Sequence, residues 1–201
     1  MLYKLKLLLF LILALGYQAN VLSESHDDMF ERATSIYNDP KTPFSTISDL
    51  FDVFRKLSEN GHDCANYYLA GYYTSGNHVS QNFKTSFDYY LKAYNLGCKD
   101  SAYLLAHKYE NGNGTKVNIT RASSLYFEAA NFESQLAALH IAKSYKQGTK
   151  LLERNLPEAY IWFNKAAQLG SDEAIKELES CQYNGLFCEK HLSQYSNQKL
   201  R

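Results

Sequence analysis

Few residues in this 201-residue chain have types and spacing that could do chemistry. Four are cysteines: Cys64, Cys98, Cys181 and Cys188. An even count in an oxidising compartment points to two disulfides. A zinc site would want paired Cys-x-x-Cys ligands, and no such pair exists. Two sequons, Asn113-Gly114-Thr115 and Asn118-Ile119-Thr120, offer Asn113 and Asn118 as glycan acceptors in a eukaryotic lumenal or extracellular setting. Ser196-Asn197-Gln198-Lys199 has the Ser-x-x-Lys form of a penicillin-recognising nucleophile. It lies in a polar tail without the companion motifs, and reads as a chance match. The sequence holds no HExxH, no GxSxG and no phosphate-binding glycine loop. The expectation is therefore a non-enzymatic chain with no catalytic, cofactor or metal residues.

The ends and the charge set the compartment. Lys4 and Lys6 precede the apolar run Leu7 to Gly16. This order is that of a signal peptide, and the run is too short to span a bilayer. Residues 1–19 are read as the signal, with small residues allowing cleavage after Gly16, Ala19 or Ser23. No second long apolar stretch follows, so no membrane span is expected in the mature chain. The balance is 21 basic against 21 acidic residues. Removing the two leader lysines leaves a net charge of about −2, which excludes the basic stripe of a nucleic-acid binder. Tyrosine is abundant, at 17. Its ring packs while its hydroxyl stays wet, which suits half-buried helix faces.

The elements that must position these residues show themselves through repetition. Tyr73-Thr74-Ser75-Gly76 recurs as Tyr109-Glu110-Asn111-Gly112 and as Tyr145-Lys146-Gln147-Gly148, at offsets of 36. Ala70, Ala106 and Ala142 keep that spacing, as do Leu69, Leu105 and Ile141. Tyr90 and Ala93 match Tyr126 and Ala129, then Phe163 and Ala166 after a one-residue longer loop. The pattern gives a degenerate first unit at 27–61 and repeats at 62–97, 98–133 and 134–170, with a capping helix and polar tail at 171–201. Apolar and small residues three and four apart make each unit a pair of helices. Gly76, Gly112 and Gly148 are placed as C-terminal caps of first helices. Thr46, Asn82, Asn118 and Asn155 are placed as N-caps of second helices, with Pro157 in a first turn. The expected fold is all-α: a right-handed α-solenoid of about four antiparallel helix-pair repeats.

Ala142 to Gly148 and Glu158 to Gly170, ending in Trp162-Phe163-Asn164-Lys165-Ala166-Ala167, resemble the Sel-one-like repeat, a relative of the tetratricopeptide repeat. Phe87 to Gly97 and Ala122 to Glu133 are looser copies, with Glu133 where the pattern has glycine and Asn66 where it has a small residue. The resemblance implies a curved superhelix that binds a protein or glycoprotein partner. If first helices line its concave side, three columns face the groove: Tyr68, Leu104, His140; Gly71, His107, Lys143; and Tyr72, Lys108, Ser144. Tyr68, Tyr72, His107, His140 and Lys143 are the expected partner-binding residues, since tyrosine is favoured at interface hot spots.

Cys64 stands at the start of one first helix and Cys98 just past the following second helix. Those ends meet in an antiparallel pair, and cysteine-rich secreted relatives bridge their repeats in a similar way. A local Cys181–Cys188 bridge across Asn184-Gly185 is the second expected pair. Eukaryotic relatives with signal peptides include the adaptor of the endoplasmic-reticulum ubiquitin ligase, so an adaptor in degradation of misfolded glycoproteins, with ubiquitin-ligase subunits as partners, is one expectation. The other is a secreted interaction module. A cysteine-rich secreted protein of β-lactamase type comes last.

Overall fold

The computed structural model describes residues 25–184; Cys188, Ser196 and Lys199 lie outside them, as do the leader and the Cys181 side chain. Among the described residues the structure is helical throughout. α1 (His26–Asn38) and α2 (Phe44–Glu59) form the first pair. α3 (Ala65–Ser75) with α4 (Phe83–Asn95), α5 (Ser101–Asn111) with α6 (Ile119–Asn131), and α7 (Gln135–Gln147) with α8 (Leu156–Gln168) form three further pairs. α9 (Asp172–Asn184) closes the array. Contact runs from each helix to the next in sequence, and in the three later pairs it is denser within a pair than between pairs. This quasi-one-dimensional packing defines a solenoid.

Short polar signals start and stop these helices. Ser25 accepts from Asp28 N, and Asp28 bonds back, in a capping box that opens α1. Asn82, Asn118 and Asn155 accept from Thr85 N, Arg121 N and Glu158 N at 3.0, 2.9 and 3.2 Å. Each satisfies one orphan donor of a first turn. Thr46 departs from its expected place. α2 begins two residues earlier, at Phe44 after Pro43, with no side-chain cap, so Thr46 lies inside the helix. A proline at that boundary sets the chain direction without donating. Glu133 takes the left-handed turn (φ +65°) that Gly61, Gly97 and Gly170 occupy in the other units. A side chain there costs about 1 kcal/mol.

The repeated alanines let the helices touch. Ala70, Ala106, Ala142, Ala93 and Ala166 are fully buried and Ala129 nearly so. Tyr90, Tyr126 and Phe163 fill the space between repeats. One apolar core runs from Ala70 to Ala174. A second, richer in aromatic rings, joins α1, α2 and the near face of α3 around Phe54, Leu57, Leu69 and Tyr72. Asn66 is fully buried where other repeats have alanine, and its polar atoms are satisfied. Its carbonyl oxygen accepts from Ser58 Oγ at 2.7 Å and its amide donates to the His62 and Asp63 carbonyls.

Cys64 and Cys98 are bridged, with Cα atoms 5.0 Å apart. The bridge ties the residue before α3 to the loop after α4. It therefore fixes the start of α3 against the start of α5.

Candidate partner-binding groove

The three expected columns divide. Tyr68, Leu104 and His140 are half-buried; Gly71 and Lys143 are partly exposed and His107 is exposed. The third column is not in the groove. Tyr72, Lys108 and Ser144 are 2%, 5% and 4% exposed. Tyr72 donates its hydroxyl to the Ile47 carbonyl and meets the rings of Tyr37 and Phe51. That position turns toward the second helix of the preceding unit, so Tyr72 belongs to the core and is withdrawn as a partner-binding residue.

Lys108 is buried in the corresponding place. Its Nζ donates to Thr74 Oγ1 at 3.2 Å and lies 5.2 and 5.7 Å from the ring centres of Phe83 and Tyr90. Among the described residues no carboxylate pairs with it, and burial lowers its pKa below the ordinary lysine value. Folding therefore favours the neutral amine. The cost of charging is complete below the folded-state pKa and vanishes as pH rises past the unfolded value of 10.5. Lys108→Met removes that charge and keeps most of the volume. It is expected to raise the unfolding free energy at pH 7 by about 1 kcal/mol. Urea titrations from pH 7 to 10.5 check the sign: the advantage of the variant narrows as pH rises.

His140 and Lys143 are both engaged on their own chain. The His140 ring stacks on Tyr126 at 4.1 Å, and its Nε2 lies 3.3 Å from a Glu110 oxygen in poor alignment for a hydrogen bond. Tyr126 donates to the same oxygen at 2.7 Å. Burial lowers the His140 pKa, with Glu110 opposing, while burial and then the Glu110 bond raise that of Tyr126. Lys143 Nζ pairs with Glu173 on α9 at 2.7 Å.

The open surface with most structure lies beside Tyr68. Tyr37, Asn38, Tyr67, Tyr68, Gly71, Tyr90 and Asp100 enclose a recess of about 320 Å³. The rings meet edge to face: Tyr37–Tyr68 at 5.1 Å, Tyr67–Tyr68 at 5.2 Å and Tyr67–Tyr90 at 5.7 Å. Tyr67 and Asp100 also border a second recess of about 220 Å³, with Tyr103, Leu104, Phe132 and Leu136 on its far side. Phe132 and Leu136 are 41% and 54% exposed, so apolar surface continues the trough along α3, α5 and α7. Burial raises the pKa of Tyr37, Tyr67, Tyr68 and Tyr103, which all stay neutral at pH 7. Sequence reasoning missed Tyr67, Tyr103 and Asp100. A usable signal existed for the first two, because Tyr67 and Tyr103 stand 36 residues apart.

The sequons flank the opposite end of the α5–α6 pair. Asn113 is partly exposed in the loop, and Asn118 is exposed with Oδ1 committed to its cap. The side-chain nitrogen, the atom a glycan joins, takes no part in that cap.

Stacked helix pairs with an aromatic trough along their first helices define a repeat scaffold. The chain belongs to the Sel1 repeat family: the family model matches residues 65–98, 99–131 and 135–171. Proteins of this family are generally protein-interaction scaffolds. Solved structures share the fold. A protective antigen of uropathogenic Escherichia coli with an SLR fold is 23% identical, TM-score 0.67, over 84% of this chain and 36% of its own. A Sel1 repeat protein from Oxalobacter formigenes is 20% identical, TM-score 0.70, over 85% and 67%. Cysteine rich protein B of Helicobacter pylori is 24% identical, TM-score 0.50, over 68% and 97%. The chain thus spans about a third of the length of the Escherichia coli antigen. No curated protein matches the chain in sequence.

Proposed function

We propose that this chain is a secretory-pathway scaffold that binds a protein partner in the trough along α3, α5 and α7. The observation that carries this reading is the trough itself. Tyrosine rings, Leu104, Phe132 and Leu136 border two adjoining recesses on a rigid repeat array. Aromatic side chains on a fixed backbone lose little entropy on binding and make effective anchors. The Cys64–Cys98 bridge supports an oxidising compartment. The signal-like leader and the two sequons support the same placement. Among the described residues no helix is long and apolar enough to cross a membrane.

Within this reading the partner is a lumenal protein or glycoprotein, with subunits of an endoplasmic-reticulum ubiquitin ligase as the first candidates. Release from the cell as an extracellular binding module is the second form of the same activity. Proximity labelling in the native cell, with the chain's own leader and a C-terminal tag, separates them. Enrichment of ligase subunits and lumenal chaperones is the expected result for the degradation adaptor. Recovery of the chain in the medium, with those proteins unlabelled, overturns that form and leaves the extracellular module.

A further inference from the structure

The recess beside Tyr68 has an uncommon lining for a scaffold surface: four tyrosines, one asparagine and a single carboxylate, contributed by three successive units. Asp100 occupies the N-cap position of α5, yet its carboxylate makes no cap hydrogen bond. Among the described residues no basic side chain pairs with it. Its neighbour Lys99 lines the adjoining recess and not this one, with Nζ 5.1 Å from the centre of the Phe132 ring. Tyr37, Tyr67 and Tyr68 stand ring against ring around the recess, and Asp100 lies on the same lining. Asn38 lines the same recess as Tyr68. Gly71 leaves the floor open: a Cβ there would meet only the Tyr37 hydroxyl, 3.7 Å away.

We infer that this recess is a socket for an arginine side chain on the protein partner, with Asp100 facing the guanidinium and the tyrosines forming its walls. The inference rests on the scaffold reading above and names the chemistry of what the trough holds. Charge complementarity selects a cation, because the only formal charge on the lining is negative. Aromatic walls attract a cation through their ring faces, and a guanidinium stacks on them better than an ammonium does. The tyrosine hydroxyls and the carboxylate on the lining can all accept hydrogen bonds. A guanidinium brings five N–H donors to meet them, a lysine three and a quaternary ammonium none. The bridge at Cys64 and Cys98 positions both sides of the socket, since Tyr67 follows one sulfur by three residues and Asp100 follows the other by two.

The test is a titration of the full chain, its tyrosine rings ¹³C-labelled, with the blocked peptide Gly-Gly-Arg-Gly-Gly. Its partner is the same peptide carrying citrulline, which keeps the shape and removes the charge. Saturable shifts of the Tyr67 and Tyr68 ring signals are expected with arginine, and about tenfold weaker binding with citrulline. Asp100→Asn, an exposed change that leaves the core intact, is expected to weaken the arginine peptide by about tenfold. Gly71→Met fills the recess and abolishes the shifts while the melting curve confirms the fold. Equal binding of the two peptides overturns the socket, as does an unaffected Asp100→Asn variant. So does tetramethylammonium displacing the peptide as well as free arginine does. A chain that labels a partner in cells but ignores the peptide loses the socket and keeps the scaffold reading. A chain that binds the peptide and labels no partner loses the scaffold reading instead.

Discussion

Replacing Cys64 and Cys98 together by alanine is expected to lower the unfolding free energy by about 3–4 kcal/mol. The two cysteines lie 34 residues apart, so the bridge removes the closure entropy of that loop from the unfolded chain. For a domain of this size the loss moves the melting temperature down by about 10 °C. The location adds to the effect. Cys98 is 2% exposed, at the seam between α4 and α5, and the aromatic core around Phe54 and Tyr72 joins the longer core to its C-terminal side through α3. Loosening the start of α3 therefore weakens the docking of α1 and α2 as well. Thermal melts of the bridged protein, the same protein in dithiothreitol, and the double-alanine variant form the measurement. Melting within about 1 °C across all three would show that the staple carries no stability.

Gly114→Ala is expected to be nearly as damaging, for a reason confined to one atom. Gly114 sits in the loop after α5 at φ +83°, and a Cβ there would lie 1.9 Å from the Phe83 carbonyl oxygen and 2.9 Å from Lys84 N. Both are backbone atoms in the first turn of α4, so nothing flexible can yield. The loop must lift off the neighbouring repeat, and the left-handed conformation adds its own strain, for a loss of about 3 kcal/mol. Gly112→Ala is the control. Its φ is +72°, but the nearest obstacle is a Val117 methyl at 3.0 Å, which can move; a loss of about 1 kcal/mol is expected. The sequon around Gly114 stays intact in the variant, so glycan occupancy at Asn113 is unaffected by motif loss. If urea midpoints show Gly114→Ala to be no worse than Gly112→Ala, the close approach of this loop to α4 is not a stabilising feature.

Much of this architecture was legible because it repeats. Alanines 36 residues apart, the asparagine caps and the glycine stops each report a local requirement that every helix pair shares, and the structure meets them at 70, 106 and 142 and at 82, 118 and 155. Thr46 misled because the first unit starts its second helix with a proline boundary, which no periodic signal encodes. The groove was legible only in part. Each residue turns a helix by about 100°, so Tyr72 lies about 40° from Tyr68 on one side and Gly71 about 60° on the other. Burial on α3 centres near Leu69, which takes Tyr72 into the core and puts Tyr67, Tyr68 and Gly71 at the open face. Repeat spacing fixes which residues share a column, but not which way the column faces. Asp100 escaped notice for the opposite reason. The matching positions are Cys64 and Leu136, so nothing repeats there, and a binding feature particular to one pair leaves no periodic trace.

A stacked array of helix pairs behaves as a spring, and the bridge changes its travel. Stretched from its two ends, an unlinked solenoid can give up its repeats one after another until the whole backbone is drawn straight. Here the backbone between Cys64 and Cys98 is bypassed by the sulfur link. Its 34 steps, roughly 120 Å of reach when fully extended, stay out of the line of force until the covalent bond is reduced. A chain drawn by its C-terminus through a narrow pore would pay out its C-terminal pairs and stall at the bridged α3–α4 pair.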